Sequence, residues 1–251
     1  KLDFEIILTT LYQSSTECAT FFTYLLGMLR RLSPIDGSFT NTLLLCKQTA
    51  VRINSDAGTS PAHEFNKFFT KHLFRSYCAL IRECPNKRQQ ICELIYAHCQ
   101  HDLTLRIKIV QSLKKYLKDD ELVYACQAHL LNQETQFNEQ WFDVFLYYAL
   151  IGLSNQRVNI RSYSINMLST IAKHNPDAML EVCEKISNLA DEAFWELKTQ
   201  SLEFAATILT QFRSHSHVLA VKDDLKSGAA AKPSSNGVLQ SRSMSGNLRS
   251  P

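Results

Sequence analysis

The stretch RVNIRSYSINMLSTIA, residues 157–172, decides the fold of this chain. Its apolar residues Ile160, Ile165, Leu168 and Ala172 recur at a spacing that places them on one side of an α-helix, and the cation Arg161 follows the first of them. The stretch contains neither glycine nor proline, the two residues that most readily interrupt a helix. It therefore predicts an amphipathic helix with one buried face.

The same pattern occurs twice more: an apolar residue, a cation and three further apolar residues at fixed spacing. The matching positions are Leu105, Arg106, Val110, Leu113 and Leu117 in one copy and Leu197, Lys198, Leu202, Ala205 and Leu209 in the other. The copies that begin at Ile160 and Leu197 are 37 residues apart. The copies that begin at Leu105 and Ile160 are 55 apart, which fits one repeat plus an additional helix, Glu121–Leu131. A period of about 40 residues with two helices per unit predicts an α-solenoid of stacked antiparallel helix pairs.

Helix breakers divide the rest of the chain in the same manner. Before residue 214 the four prolines, Pro34, Pro61, Pro85 and Pro176, fall in gaps between segments of helical apolar spacing. The segments predicted as helices are Asp3–Gln13, Glu17–Leu32, Phe39–Asn54, Ala62–Glu83, Asn86–Gln100, Leu103–Lys118, Glu121–Leu131, Glu139–Leu153, Asn159–Lys173, Pro176–Leu189 and Ala193–Arg213. No segment alternates with a period of two, so the predicted fold class is all-α.

Composition divides the chain into two parts. We predict a helical-repeat domain at residues 1–213, with the clearest repeats at 102–213, and a disordered basic tail at 214–251. The formal net charge is +3. The segment from Leu225 onward contains cations and no acid, so the positive charge lies there and the rest of the chain is nearly neutral. No apolar run approaches the roughly 20 residues of a membrane span. Because the chain begins at Lys1, we expect it to be a piece of a longer protein.

The stretch from Arg157 to Ala172 resembles the second helix of a HEAT unit, and residues 102–213 are similar to the HEAT and armadillo repeat families. In these families a cation at the place of Arg161 often pairs with an acid of a neighbouring repeat, which is one role for Arg106, Arg161 and Lys198; contact with a partner is the other. A basic linker beside such an array also resembles the TOG-domain proteins, which bind tubulin. TOG domains carry a Trp and cations on the turns of about six units, whereas here Trp195 is the one Trp on a late turn.

Residues that could carry chemistry form no recognised catalytic pattern in this sequence. It contains no glycine-rich phosphate loop, HExxH, GxSxG or EF-hand spacing. The pairs Asp119-Asp120 and Asp191-Glu192 precede helices, where a carboxylate favours the positive helix N-terminus. The eight histidines are scattered and are interpreted as surface or capping residues. We therefore expect no catalytic residue, cofactor or metal.

The eight cysteines form no CxxC pair, and most lie in apolar helical stripes. This predicts buried thiols in a reducing compartment. The alternative is a metal site of Cys92, His98, Cys99 and His101. Those four residues point to different sides of one helix, whereas zinc needs ligands that converge.

The turns between paired helices are the predicted place for binding, because in a solenoid they line up along one edge. That edge would carry Lys87, Arg88, His101, Thr104, Asn155, Gln156, Arg157, Phe194 and Trp195. Trp195 and Trp141 each open a helix and either cover a hydrophobic layer or anchor a partner. The candidate partner-binding residues are Lys87, Arg88, Arg157, Arg161, Trp195 and Lys198.

These features favour a non-catalytic, cytoplasmic protein-binding scaffold in a cytoskeletal, centrosomal or ciliary assembly, with tubulin and microtubules among its candidate partners. Two alternatives stay open. The first is a nucleic-acid-associated or nuclear-complex helical-repeat subunit, which would need a continuous basic stripe that a nearly neutral body does not favour. The second is a regulatory segment of a larger enzyme such as a kinase.

Overall fold

The computed structural model of the chain describes residues 15–55, 65–136, 138–179 and 194–228, and within these ranges the regular structure is entirely helical. The predicted all-α class is thus confirmed for the described part of the chain. The predicted helix Asp3–Gln13 and most of the predicted helix Pro176–Leu189 lie outside the described residues.

The bounds of the helices follow the apolar spacing and the helix breakers closely. The α-helices are α1 (Ser15–Arg31), α2 (Gly37–Ser55), α3 (Phe74–Glu83), α4 (Arg88–Cys99), α5 (Leu103–Leu117), α6 (Asp120–Leu131), α7 (Glu139–Leu153), α8 (Val158–His174) and α9 (Trp195–Gly228). The predicted helix Ala62–Glu83 contains a π-helical turn, Phe69–Leu73, directly before α3. A π turn holds an extra residue, so both Leu73 and the adjacent Phe74 are buried there.

Short polar turns start and reverse the helices. The carboxylate of Asp102 accepts a hydrogen bond from the Leu105 N–H at the start of α5, and the side chain of Asn138 does the same for Trp141 in α7. Asp119 caps α6 by accepting from the Glu121 N–H, the role predicted for a carboxylate at a helix start. These caps satisfy backbone donors that a helix leaves unpaired and fix the points at which the chain reverses.

From α3 to α8 each helix packs on its neighbour in sequence, as α1 does on α2, and several helices also pack on the helix two places further along. In this way α2 packs on α4, α4 on α6 and α6 on α8, while α3 packs on α5 and α5 on α7. The buried apolar side chains form one connected core through these helices. The even-numbered helices therefore lie side by side in one row, and the odd-numbered helices α3, α5 and α7 in another.

The last described helix differs from its prediction in two ways. It continues to Gly228 instead of ending at Arg213, and so includes residues that the sequence assigned to the tail. The sequence explains this, because no glycine or proline follows Arg213 until Gly228. The face that α9 buries carries Leu197 and Phe204, whereas Leu202 and Leu209, which the repeat pattern placed on the core face, are exposed.

Contacts divide the chain into a compact unit, Lys1–Gln211, and a second unit, Phe212–Pro251. The first unit holds the buried core. The described part of the second unit, residues 212–228, is helical. None of the helices among the described residues is long and apolar enough to cross a membrane.

Candidate binding surface

Polar side chains connect α2 to α4 and α6 to α8, and we call these contacts the polar ladder. At its first step, the Lys87 Nζ donates to the Thr40 Oγ1 at 2.8 Å, and the Lys47 Nζ donates to Glu93 at 2.7 Å. Thr40 and Lys47 follow one another along α2 as Lys87 and Glu93 do along the start of α4. The two helices therefore run in the same direction.

The step between α6 and α8 has a constant register. Arg157 contacts the Asp119 carboxylate at 3.3 Å, and the Asn159 amide donates to Glu121 at 2.8 Å. Thr170 donates to the Asn132 side chain at 2.7 Å near the other end of the two helices. The partners in all three contacts are separated by 38 residues. A constant separation from one end to the other means that α6 and α8 are parallel and in step.

A groove with a volume of about 360 Å³ lies between α8 and α9. Its lining residues are mostly polar: Ser162, Tyr163, Ile165, Asn166, Ser169 and Lys173 from α8, and Gln200, Glu203 and Thr207 from α9. We call it the α8–α9 groove. Arg161 near the start of α8 lies 5.6 Å from the ring centroid of Phe194, directly before α9, and both helices line the groove from there onward, so they run in the same direction. A smaller groove of about 140 Å³ lies between α2 and α4.

This order of packing corrects part of the repeat alignment. Arg161 and Lys198 stand near the starts of α8 and α9, two parallel helices, and their predicted equivalence agrees with the geometry. Arg106 stands in α5, which packs on α3 and α7 and belongs to the other row from α8, so its equivalence to Arg161 is wrong. The three helices share an apolar pattern because each buries one face, and such a pattern does not record the row to which a helix belongs.

Arg106 pairs with an acid, as expected of a structural cation in this position. Its guanidinium forms an ion pair with the Glu134 carboxylate, and both side chains are largely buried. The guanidinium carbon also lies 5.0 Å from the ring centroid of Trp141 and 6.0 Å from that of Tyr96. Burial, together with the Glu134 carboxylate, raises the pKa of Tyr96 to about 12. The cation thus joins α4, α5, α7 and the segment after α6.

Arg157 and Arg161 hold the turn between α7 and α8. The Arg161 guanidinium donates to the backbone carbonyls of Asn155 and Gln156, both at 2.9 Å, and lies 5.6 Å from the ring centroid of Phe194. The backbone N–H of Arg157 donates to the Asn155 side chain at 2.9 Å. The structure therefore brings Arg157, Arg161 and Phe194 together at one end of the helix row.

Lys87 and Arg88 make their contacts at the start of α4. The Arg88 Nε donates to the Ile81 carbonyl at 3.2 Å, in addition to the Lys87 contact with Thr40. Both cations are half-buried, and neither is a fully exposed contact point for a partner.

The single turn edge predicted from the sequence is wrong for His101 and Thr104. These residues lie at the start of α5, whereas Asp119, the partner of Arg157, follows its end. The 15 residues of α5 span about 22 Å at 1.5 Å per residue. His101 and Thr104 therefore lie at the opposite end of the helices from Arg157 and Phe194.

The two tryptophans have opposite environments. Trp141 is only 1% exposed and packs edge-on against Phe145 at 4.7 Å between centroids, so it belongs to the core. Trp195 is 70% exposed and stands beside Phe194, which is 49% exposed. Of the two roles open to these residues, Trp141 covers a hydrophobic layer, and the exposure of Trp195 favours a role as an anchor. Lys198, which lies on α9 with Trp195, is also exposed.

His98 is a correction to the prediction that the histidines are surface residues. Its ring is buried among Phe22, Phe65, Phe69 and Tyr77, and its Nε2 lies 3.1 Å from the Tyr77 hydroxyl. Burial lowers the pKa of His98 to about 3.

Six cysteines of the described residues are buried free thiols: Cys46, Cys78, Cys84, Cys92, Cys99 and Cys126. Across the ranges that the structure describes, no three His, Cys, Asp or Glu side chains are placed to hold a metal ion.

Sequence reasoning missed the polar ladder, although the sequence contains a signal for it. Three complementary polar pairs have one constant separation along the chain: Asp119 with Arg157, Glu121 with Asn159, and Asn132 with Thr170. A search for complementary polar residues at the repeat period would have found them, whereas a search for apolar repeats does not.

Comparisons with models of protein families, with curated proteins and with solved structures found no match to this chain.

Proposed function

We propose that this chain is a non-catalytic protein-binding scaffold, built as an α-solenoid of the HEAT or armadillo kind. The observation that carries the proposal is the polar ladder, whose three contacts between α6 and α8 share a separation of 38 residues, because parallel helices packed in register form a regular surface. Stacked helices of this kind present extended faces to other macromolecules. The binding face in this proposal is the side of the even-numbered helices that carries the ladder.

The α8–α9 groove is the proposed contact point on that face. Its hydroxyl, amide and carboxylate groups offer both donors and acceptors of hydrogen bonds, which an extended peptide also presents along its backbone. Lys173, exposed at one end of the groove, and Glu203, from the facing helix, give it charges of both signs. The groove therefore suits a polar segment of another protein better than an apolar ligand.

Site-specific photo-crosslinking tests the proposal. A photoreactive amino acid replaces Lys173 in the groove, and the matched control carries it at Tyr147, an exposed residue of the odd-numbered helix α7. We expect a covalent adduct with another protein in cells from position 173 and not from position 147. Adducts with nucleic acid at position 173 would favour the nuclear alternative. The same protein adducts from both positions, or none from either, would contradict the proposal.

The basic end of the sequence suggests an acidic partner. Lys226, Lys232, Arg242 and Arg249 lie beyond Leu225 without an acid, and we propose acidic cytoskeletal surfaces such as tubulin as the first candidate, in a cytoplasmic or ciliary setting. The test is cosedimentation with microtubules at ionic strengths from about 0.05 to 0.2 M, over which screening of exposed charges increases. Binding should fall with salt and should weaken when Lys232, Arg242 and Arg249 become Gln. Cosedimentation that does not change with ionic strength, or no cosedimentation at all, would exclude this partner.

A further inference from the structure

The exposed face of α9 carries a regular apolar stripe. Trp195, Leu202 and Leu209 are 70%, 71% and 70% exposed, although each is large and hydrophobic. They are spaced seven residues apart, so they lie on one side of the helix, opposite Leu197 and Phe204, which are buried. Large apolar side chains that align in this way on one helix mark an interaction surface rather than random exposure.

The spacing of the stripe is that of a left-handed coiled coil. Trp195, Leu202 and Leu209 occupy one of the two seam positions of a heptad, and Thr199 and Ala206, which are also exposed, occupy the other. Leucines at one position and small residues at the other allow two helices to approach closely. We call these five residues the α9 seam.

The charges beside the α9 seam select the partner and its direction. Lys198 flanks the seam on one side and Glu203 on the other, and both are exposed. In a parallel pair of helices, a residue at the first flank faces the residue five places later on the second flank of the other helix, which brings Lys198 opposite Glu203. In an antiparallel pair, like flanks meet, so Lys198 would face the flank of the other helix that carries Lys198 and would not meet Glu203. The sequence is thus self-complementary only for a parallel pair.

We propose that a second copy of this chain covers the α9 seam, with the two α9 helices parallel and Lys198 of each copy paired with Glu203 of the other. A two-fold axis along the helices makes both charge pairs at once, as an isologous interface requires. Leu197 and Phe204 are buried against each chain's own core on the side away from the seam, so the seam itself is free to meet a second α9. Glu203 also lines the α8–α9 groove, but the inference does not depend on what that groove binds.

Sedimentation of the full chain tests the dimer. Over about 1–100 µM, a range in which a small specific interface associates, we expect a mass approaching twice 28.7 kDa. Leu202→Glu should give a monomer with an unchanged helical circular dichroism spectrum. The matched control is Ile35→Glu, because Ile35 is 92% exposed on a turn away from α9, and this variant should stay dimeric. A wild-type monomer at the highest concentration, or a dimeric Leu202→Glu variant, would overturn the proposal.

Charge exchange tests the direction of the pair. Lys198→Glu and Glu203→Lys should each raise the dissociation constant about tenfold or more, because each places like charges opposite one another twice. The double variant should restore the wild-type value, and a mixture of the two single variants should form a heterodimer. An antiparallel pair predicts no loss in either single variant, so full dimerisation of both would reject the parallel arrangement.

Discussion

At the scale of single residues, His98 is a neutral imidazole held by aromatic rings. Its ring stacks on Phe69 at 4.5 Å between centroids, and its Nε2 shares a hydrogen bond with the Tyr77 hydroxyl. A charged imidazolium would lose most of its hydration in this cluster, which is why burial lowers the pKa of His98 to about 3. In the unfolded chain the same group titrates near its ordinary value of about 6.5.

This difference makes folding stability depend on pH. Between pH 6.5 and 3 the unfolded state binds a proton that the folded state does not, so the contribution of His98 falls as the pH falls through this window. At pH 5 the loss relative to pH 7 amounts to about 2 kcal/mol of the free energy of unfolding. Urea denaturation at the two pH values should show that His98→Gln, which does not titrate, reduces the loss by about this amount. The exposed His101→Gln serves as the control and should leave the loss unchanged; a reduction equal to that of His98→Gln would disprove the assignment.

The ion pair between Arg106 and Glu134 should matter far more than the exposed pair between Arg157 and Asp119. Arg106→Met leaves the Glu134 carboxylate buried without its partner, which costs about 3–5 kcal/mol of unfolding free energy. Arg157→Met removes an exposed contact that is worth about 0–1 kcal/mol. Chemical denaturation of both variants gives the comparison. The double variant Arg106→Met/Glu134→Leu should recover much of the loss, and equal small effects of the two single changes would show that the buried pair contributes little.

The sequence offered an ion pair as one of two roles for Arg106 without identifying the acid, and it misplaced His98. A cation at a repeated position indicates an ion pair, whereas its acid, Glu134, stands in a polar segment between helices with no pattern of its own. The rings around His98 come from α1, from the segment before α3 and from α3 itself. Burial that results from several distant segments leaves no local sign around the histidine, so its polarity alone favoured the surface.

At the scale of helices, Gly152 allows α7 to approach α8 and α6. A Cβ at this position would collide with the Ser164 side chain and the ring of Tyr124. Gly152→Ala should therefore lower the free energy of unfolding by about 1–3 kcal/mol, although alanine is the better helix former. The matched change is Gly27→Ala in α1, where an added Cβ meets nothing within 4 Å and should stabilise by about 0.5–1 kcal/mol. Urea titrations that show both alanines stabilising would mean that the close approach at Gly152 relaxes freely.

The extent of each helix was predictable from the sequence, while the row to which it belongs was not. Apolar spacing, the capping residues and the prolines fixed most helix ends to within about two residues, because these signals act within one or two turns of chain. The assignment of α5 and α8 to one kind of repeat failed, since both bury a face of the same pattern. For α9 the pattern wrongly assigned Leu202 and Leu209 to the buried face. This helix has apolar residues on two sides, and their spacing does not show which side packs on the core.

At the scale of the whole molecule, stability should vary along the helix rows. Each of α4 and α6 lies between two even-numbered helices and against odd-numbered ones, so opening either exposes much of the core. In α9 the buried large side chains are Leu197 and Phe204, and the α8–α9 groove lies along its inner side. In a stack coupled through neighbouring helices, a helix with few buried side chains opens at lower cost than one in the middle.

Hydrogen exchange monitored by mass spectrometry checks this gradient. Amides of α4 and α6 should exchange only through global unfolding, and amides of α9 at 195–211 should exchange through local opening at a free energy lower by about 2 kcal/mol or more. If α9 also forms the dimer, its protection should rise with protein concentration in the wild type and stay constant in Leu202→Glu, because association stabilises only the helix that forms the interface. Protection of α9 equal to that of α4 in the monomeric variant would mean that the helices unfold as a single cooperative body, and the stack would then not be coupled through neighbours alone.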